Sequence, residues 1–483
     1  MIYKGTTLTD EQSQAATAMI TGTSLSLQAP AGSGKTKTLA AGARRIYGQG
    51  LNISFNKSVA LNAAKTFPSN IKCSTSHSLA FRTTGRHYSK RLTRMTGSSL
   101  AKSFDLGIIG PFPSMATKGY QIIETIRKFC YTSDRNITSK HCPALQINLR
   151  AEQYQATRTD IAEIASLVWN DMISRDSSLP ITHDTYLKIW ALSEPTFSAD
   201  FILFDEAQDA NPVIVDVILR QPCQKVFVGD RFQQIYSWRG AVDAMSQLDF
   251  EQHNLTKSFR FGSAIATMAN QILNSYSAPH TRMPEITGVS GKVSEVHTRY
   301  QLSPNCIICR TNFGVIQAVM QYQATGVKCH IMGGAKPVLA LLSGIESLKE
   351  GKKSFHPDLL LFKTFFDLIL YSESPMGGSM KYLFSLIKKY SFKKLYAHLI
   401  NCVSEPQADI IITTVHKAKG LEWPIVKLSN DFKHCDDETP HITQEETNIL
   451  YVAATRALSV LDISSCDALS EKNLELAKTN WKE

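Results

Sequence analysis

The sequence predicts an α/β fold of two parallel-sheet domains, each interrupted by a mostly helical segment. Three observations carry this expectation. Short apolar or β-branched runs recur along the chain, each run ends in polar or glycine-rich residues, and helix-length amphipathic stretches separate most of them. Strands covered on both faces read as unbroken apolar runs, and parallel pairing needs a long crossover, usually a helix. The runs fall into two series. The first is SLSLQAP (24–30), LNISFN (51–56), IKCSTSH (71–77), DFILFDEAQD (200–209) and QKVFVGD (224–230). The second is NCIICRTN (305–312), DIIITTVHKAKG (409–420) and WPIVKLS (423–429). Sheets of this kind bind ligands beyond the carboxyl ends of their strands, where the polar tails of these runs fall.

Residues 1–84 and 196–255 are expected to form the first sheet domain, with 85–195 as a helical insert. Residues 256–334 and 406–483 form the second, with a small helical insert over 335–405. The insert contains KYLFSLIKKYSFKKLYAHL (381–399), apolar on one side and lysine-rich on the other. Such a segment suits a helix covering its own domain or touching DNA better than a membrane surface.

At 483 residues the chain is too long for a single core, and 43% hydrophobic with 19% charged residues describes an ordinary globular protein. The N-terminus lacks a charged segment followed by an apolar run, and no stretch of about 18 apolar residues occurs. The expectation is no membrane association and a cytoplasmic location, nuclear if the source is eukaryotic. Ten cysteines without repeating spacing fit reduced thiols. Cys306 and Cys309 form a CxxC, but they sit on an expected buried strand and no second pair has zinc spacing.

The net charge of +10 is unevenly placed. Between Gln12 and Phe104 there is no Asp or Glu, while 13 Lys or Arg residues fall in that span. A polyanion such as nucleic acid is the natural partner of this field.

The chemistry begins at QAPAGSGKTKTL (28–39), a strand end, a glycine-rich turn and the start of a helix. Backbone N–H groups of Ala29, Ala31, Gly32, Ser33 and Gly34 would surround phosphate oxygens at a helix N-terminus, with Pro30, which has no N–H, shaping the turn. Lys35 would reach the β- and γ-phosphates, and Thr36 would offer its hydroxyl to Mg²⁺. Ala29 stands where the phosphate-loop pattern has its first glycine. FILFDEAQD then delivers Asp205 to the metal and Glu206 to polarise the attacking water. ATP and Mg²⁺ are therefore the expected cofactors. After VFVGD, Gln233, Tyr236, Trp238 and Arg239 follow a strand directed at the γ-phosphate, suiting an element that senses nucleotide and stacks a base. TKSFRFG (256–262) and ILYVAATRAL (449–458) each place one arginine, Arg260 and Arg456, on an apolar frame. The second of these stretches reads as an apolar helix. Two such arginines suit fingers reaching a phosphate.

In its ordered motifs the sequence resembles superfamily 1 DNA helicases of the UvrD/Rep/PcrA type, and within them the helicase core of the F-box DNA helicases. The motifs are LTDEQSQA, the phosphate loop, FNKS, STSHS, DEAQD, GDRFQQIYSWRGA, KSFRFG, ICRTN, TTVHKAKGLEWP and YVAATRA. No F-box segment stands ahead of Leu8, so the resemblance does not extend to that part. It implies two RecA-like motor domains with ATP held between them. It further implies that Gln12 reads the adenine, Gln233 contacts the γ-phosphate, Arg260 and Arg456 are the fingers, and Glu422 contacts the ribose. Lys37 follows the loop where many relatives carry arginine, and the short 335–405 insert replaces a bulkier subdomain. Phe55, Asn56, His77, Tyr236, Trp238 and His416 would line the single-strand track, with Arg239 bracing it. The implied function is a monomer-capable 3′→5′ helicase acting on single-stranded DNA and on junctions with duplex, in repair, recombination or replication. The alternative is a DNA-stimulated ATPase that displaces a recombinase or serves a nuclease partner.

Overall fold

The computed structural model describes residues 2–3, 5–54, 57–112, 114–145, 149–237, 240, 244–245, 248–278, 284–299, 303–360, 362, 364–373, 378–435 and 440–480. The chain divides into two compact units, Met1–Ala29 with Gly34–Leu255, and Pro30–Ser33 with Thr256–Glu483.

The first unit is built on a six-stranded sheet, every neighbouring pair parallel. Its strands are β1 (Leu25–Gln28), β2 (Gly50–Ser54), β3 (Ile71–Thr75), β4 (Phe201–Asp205), β5 (Gln224–Gly229) and β6 (Glu251–Asn254), in the order β3-β2-β4-β5-β1-β6. Alternation along β4 explains its unbroken apolar run. Phe201 and Leu203 enter one core with Leu25, Leu27, Val226 and Val228, while Ile202 and Phe204 enter another with Leu51, Ile53 and Phe227. The first core is closed by helices α1 (Asp10–Ala18) and α2 (Lys35–Ala43), through Ala15, Ala16, Leu39 and Ala40. Helices α3 (Lys57–Thr66) and α4 (Ser76–Thr83) follow β2 and β3. The 85–195 stretch is helical in the main, with α5 (Gly97–Ser103), α6 (Met115–Tyr131), α7 (Ala151–Ile173) and α8 (His183–Leu192). Phe129, Val168, Trp169, Tyr186 and Trp190 from α6, α7 and α8 fill the second core, as do Val213 and Val217 from α9 (Pro212–Leu219).

The second unit repeats the plan. Strands β7 (Glu295–His297), β8 (Cys306–Cys309), β9 (Cys329–Ile331), β10 (Ile410–Thr414), β11 (Trp423–Leu428) and β12 (Ala457–Asp462) form a parallel sheet in the order β7-β12-β11-β8-β10-β9. Its helices are α10 (Ser263–Tyr276), α11 (Asn312–Gln323), α12 (Lys336–Lys349), α13 (Phe365–Glu373), α14 (Gly378–Lys389), α15 (Phe392–Ile400), α16 (Val415–Ala418), α17 (Gln444–Ala454) and α18 (Glu471–Asn480). Both cysteines of the CxxC are buried on β8, and burial pushes their thiols well above the ordinary range. Among the described residues no helix is long and apolar enough to cross a membrane.

All eight apolar runs form strands; four further strands of the two six-stranded sheets lack such a run. β6 is the polar segment EQHN, and β6, β7 and β9 are sheet edges, where one missing neighbour relaxes the demand for apolar residues. The fourth, β12, corrects the reading of ILYVAATRAL as one helix. Helix α17 stops at Ala454 and β12 begins at Ala457, so Arg456 lies in the turn between them. The segment over 381–399 is likewise two helices, divided where the Ser391 hydroxyl accepts the Lys394 N–H at 3.3 Å and caps α15.

A cluster of ions ties the carboxyl end of β8 to α17. Arg310 donates to both oxygens of Glu446, at 2.7 and 2.8 Å, and Lys433 lies 3.0 Å away. Burial alone would raise the Glu446 carboxyl, but these two cations hold it below the ordinary range. A depressed folded-state pKa stabilises the fold above the unfolded value and is lost as pH falls through the folded one. Glu446→Gln should therefore lower stability by about 1–3 kcal/mol at pH 7. In denaturant titrations the gap from wild type should close as pH is taken below about 4, where wild-type Glu446 is also neutral.

Candidate nucleotide and nucleic-acid sites

The phosphate loop leaves β1 and ends at the first residue of α2. Gly32 (φ 76°) and Gly34 (φ 80°) are left-handed, which L side chains rarely adopt, and such alternation turns successive N–H groups towards one side. Ala29 lies outside that region, so alanine serves where the pattern has glycine. Its N–H donates to Gly229 O at 2.8 Å, and the Ser33 N–H closes a turn onto Pro30 O at 3.1 Å. Within the second unit, the Ser258 hydroxyl donates to Ala31 O and the Phe259 N–H to Gly32 O, both at 2.8 Å. Lys35 Nζ donates to Ala29 O at 3.0 Å, folding the ammonium back over the loop. Lys37 is half-buried on α2.

Parallel register sets what stands beside this loop. Asp205 is level with Val228 and Leu27 is level with Val228, so the ends of β4, β5 and β1 form one row. Asp205 is 3% exposed, accepts the Glu206 N–H at 2.9 Å and is hydrogen-bonded by the Thr36 hydroxyl. Burial, then the adjacent Glu206, push its carboxyl well above the ordinary range, against the pull of Lys35 and the two hydrogen bonds. A buried carboxylate and a hydroxyl in contact are the oxygen donors a hard divalent cation takes, so the pair fits Mg²⁺. Glu206 follows in a left-handed conformation, φ 57°, uncommon for a residue with a side chain.

Two residues of this unit went unassigned in the sequence reading. Gln208 and Asp230 are fully buried. Gln208 Nε2 donates to Glu206 Oε2 at 2.5 Å, and Gln208 Oε1 accepts the Asp230 N–H at 3.1 Å. The Asp230 carboxylate accepts from Gln28 Nε2 at 3.2 Å, the Phe232 N–H at 3.1 Å and Gln233 Nε2 at 2.7 Å. An acid directly after the apolar strand VFVG was the available signal. Gln12 is also buried, and its Oε1 accepts the Thr9 N–H at 3.1 Å while Thr9 Oγ1 accepts its own N–H, a capping box at α1.

In the second unit, Arg260, Glu422 and Arg456 are brought into one cluster. Arg260 Nε donates to Glu422 Oε2 at 2.7 Å and its Nη1 to Thr455 O at 3.2 Å. Arg456, 1% exposed, donates to Val452 O at 2.9 Å, Thr455 Oγ1 at 3.2 Å and Leu421 O at 3.4 Å. The expected finger and the expected ribose contact are thus partners of each other. His416 is half-buried on α16, beside Lys417, whose Nζ donates to Met332 O at 2.9 Å.

On the nucleic-acid side of the reading, His77 opens α4 and pairs through Nε2 with Asp184 Oδ1 at 3.3 Å; Tyr131 donates to the other oxygen at 3.3 Å. Tyr186 sits edge-on to His77, Phe81 and His183, with ring centres 6.2, 5.7 and 5.5 Å away. Burial, then Asp184, raise the Tyr186 phenol to about 12. The sequence reading found His77 but not its ring neighbours, which come from α8, over 100 residues away. Tyr236 is half-buried. Phe55, Asn56, Trp238 and Arg239 lie outside the described residues.

Residues 169–253 match the UvrD/REP helicase N-terminal domain and residues 359–468 the UvrD-like helicase C-terminal domain. The chain is 31% identical to F-box DNA helicase 1 of Gallus gallus, over 91% of this chain and 47% of the relative. It is 29% identical to F-box DNA helicase protein 1 of Schizosaccharomyces pombe, over 90% of this chain and 54% of the relative. The chain therefore spans about half the length of these relatives. Among solved structures, Arterivirus nonstructural protein 10 (helicase) aligns with 97% of this chain and 64% of its own. The TM-score of 0.36 and 12% identity are too low to carry an argument.

Asp230 is the hub of the buried polar row. Asp230→Ala would strand two carboxamide groups and one N–H without their acceptor. Equilibrium unfolding should show a loss of about 2–4 kcal/mol, whereas Asp230→Asn, which keeps an acceptor, should lose less.

Proposed function

We propose that this chain, whose residues 169–253 and 359–468 match the N-terminal and C-terminal domains of the UvrD-like helicases, hydrolyses ATP to move along single-stranded DNA, 3′→5′, separating the duplex ahead of it. The observation that supports this reading most is the row at the carboxyl edge of the first sheet. There the phosphate loop, Lys35, Thr36, Asp205 and Glu206 occupy adjacent strand ends. In this reading Lys35 neutralises the β- and γ-phosphates, while Thr36 and Asp205 hold Mg²⁺, which when bound offsets phosphate charge. Glu206 orients and deprotonates the attacking water, and Gln233 contacts the γ-phosphate. Gln12, already fixed by its capping box, reads the adenine edge. Arg260 and Arg456 serve as the phosphate-directed fingers that the resemblance implies, and Glu422, paired with Arg260, contacts the ribose.

The strand would run over Phe55, Asn56, His77, Tyr236, Trp238 and His416, with Arg239 bracing it. Stacking on aromatic faces and attraction to the basic Gln12–Phe104 span require no base readout, so activity should be indifferent to sequence.

The test is displacement from 3′-tailed and 5′-tailed duplexes, with Lys35→Ala as the blank. Activity on the 3′-tailed substrate alone supports the whole reading. Stimulated ATPase without displacement on either substrate would instead favour a remodelling ATPase that clears a recombinase or serves a nuclease. Trp238→Ala should weaken single-strand binding by about 1–3 kcal/mol, one lost base stack, measured by fluorescence anisotropy.

A further inference from the structure

We infer that Gln208 and Asp230 are positioning residues for ATP hydrolysis, holding the Glu206 carboxylate and the Gln233 carboxamide in a single fixed relation. The inference rests on the roles proposed above for Glu206 and Gln233.

The chemistry of the donors leaves one arrangement. A backbone N–H can only donate, so the Asp230 N–H demands the oxygen of the Gln208 amide, which leaves the amide nitrogen to donate to Glu206 Oε2. Turning the Gln208 amide over would break both bonds inside a fully buried site. The same logic fixes Gln233. The Asp230 carboxylate accepts its Nε2 at 2.7 Å, which leaves Gln233 Oε1 on the side away from Asp230. One uninterrupted path of hydrogen bonds therefore runs from Glu206 through Gln208 and Asp230 to Gln233.

Two independent features accompany this path. Gly229 has no positive φ, so no turn requires glycine there, yet a Cβ on it would meet Gln208 Oε1 at 2.3 Å. A side chain at this position would push the Gln208 amide out of its place against the backbone of β5. Glu206 is held left-handed at φ 57°, a conformation that persists in a residue with a side chain only when its surroundings over-determine it. The 2.5 Å bond from Gln208 is a restraint placed on that side chain.

The test uses the full chain and its DNA-stimulated ATP turnover. Gln208→Met keeps the volume and removes the amide; Gln208→Glu keeps the shape and sets a second carboxylate against Glu206. Each should lower kcat about tenfold or more while KM for ATP stays within about twofold, because the phosphate loop is untouched. Gln208→Met combined with Glu206→Gln should be no slower than Glu206→Gln alone, since a residue acting through Glu206 has nothing left to act on. A merely structural residue would give losses that multiply and a raised KM. Wild-type kcat in either folded Gln208 variant, or multiplying losses, overturns the inference. Full turnover by Glu206→Gln sinks the underlying assignment of Glu206 instead, so the two failures are told apart.

Discussion

The interaction on which the first unit depends is the parallel pairing of β4 and β1 with β5. Because Asp205 and Leu27 share a level with Val228, the polar residues that follow each strand emerge side by side at one edge. A slip of one residue would turn every side chain of a strand to the opposite face, exchanging the two cores that Phe201/Leu203 and Ile202/Phe204 enter. The apolar faces therefore hold the register, and the register holds the site.

Placing acids in this edge costs free energy that hydrogen bonding must offset. Asp230 manages this with three donors, and Asp205 with Thr36, the Glu206 N–H and the nearby Lys35 ammonium. The difference is informative. The donors around Asp230 suit a fixed scaffold, while burial and Glu206 raise the proton affinity of Asp205, which a divalent cation would relieve. In the second unit, Asp431 accepts from Arg310 N, Thr311 N and the Thr311 hydroxyl at the start of α11. The equivalent edge of that sheet is thus filled by the protein's own carboxylate, consistent with a single phosphate loop in the sequence.

Much of the fold was legible because the inner strands of both sheets are largely buried, so apolar residues recur along them. The edge strands β6, β7 and β9 escaped detection because an edge needs less apolar cover, and β12 because ALSVLD continues the apolar pattern of a helix without a break. Lys35, Thr36, Asp205 and Glu206 were legible because each follows a strand at a short fixed spacing. His183 and Tyr186 were not, since only the packing of α8 against α4 brings them to His77.

The sequence by itself determined the α/β class, the position of the phosphate loop and the acids aimed at it, since local spacing and apolar runs encode all three. It also located the basic span, because charge is read directly from composition. Only the tertiary structure decided that Arg260 pairs with Glu422, that Arg456 lies buried in a turn, and that Gln208 and Asp230 join Glu206 to Gln233. Arg260–Glu422 and Gln208–Asp230 join separate stretches of chain, and they decide which of the short-range bonds to Glu206 and Gln233 fall into one path. The distant partners are chosen by sheet register and burial, quantities that no local pattern of residues specifies.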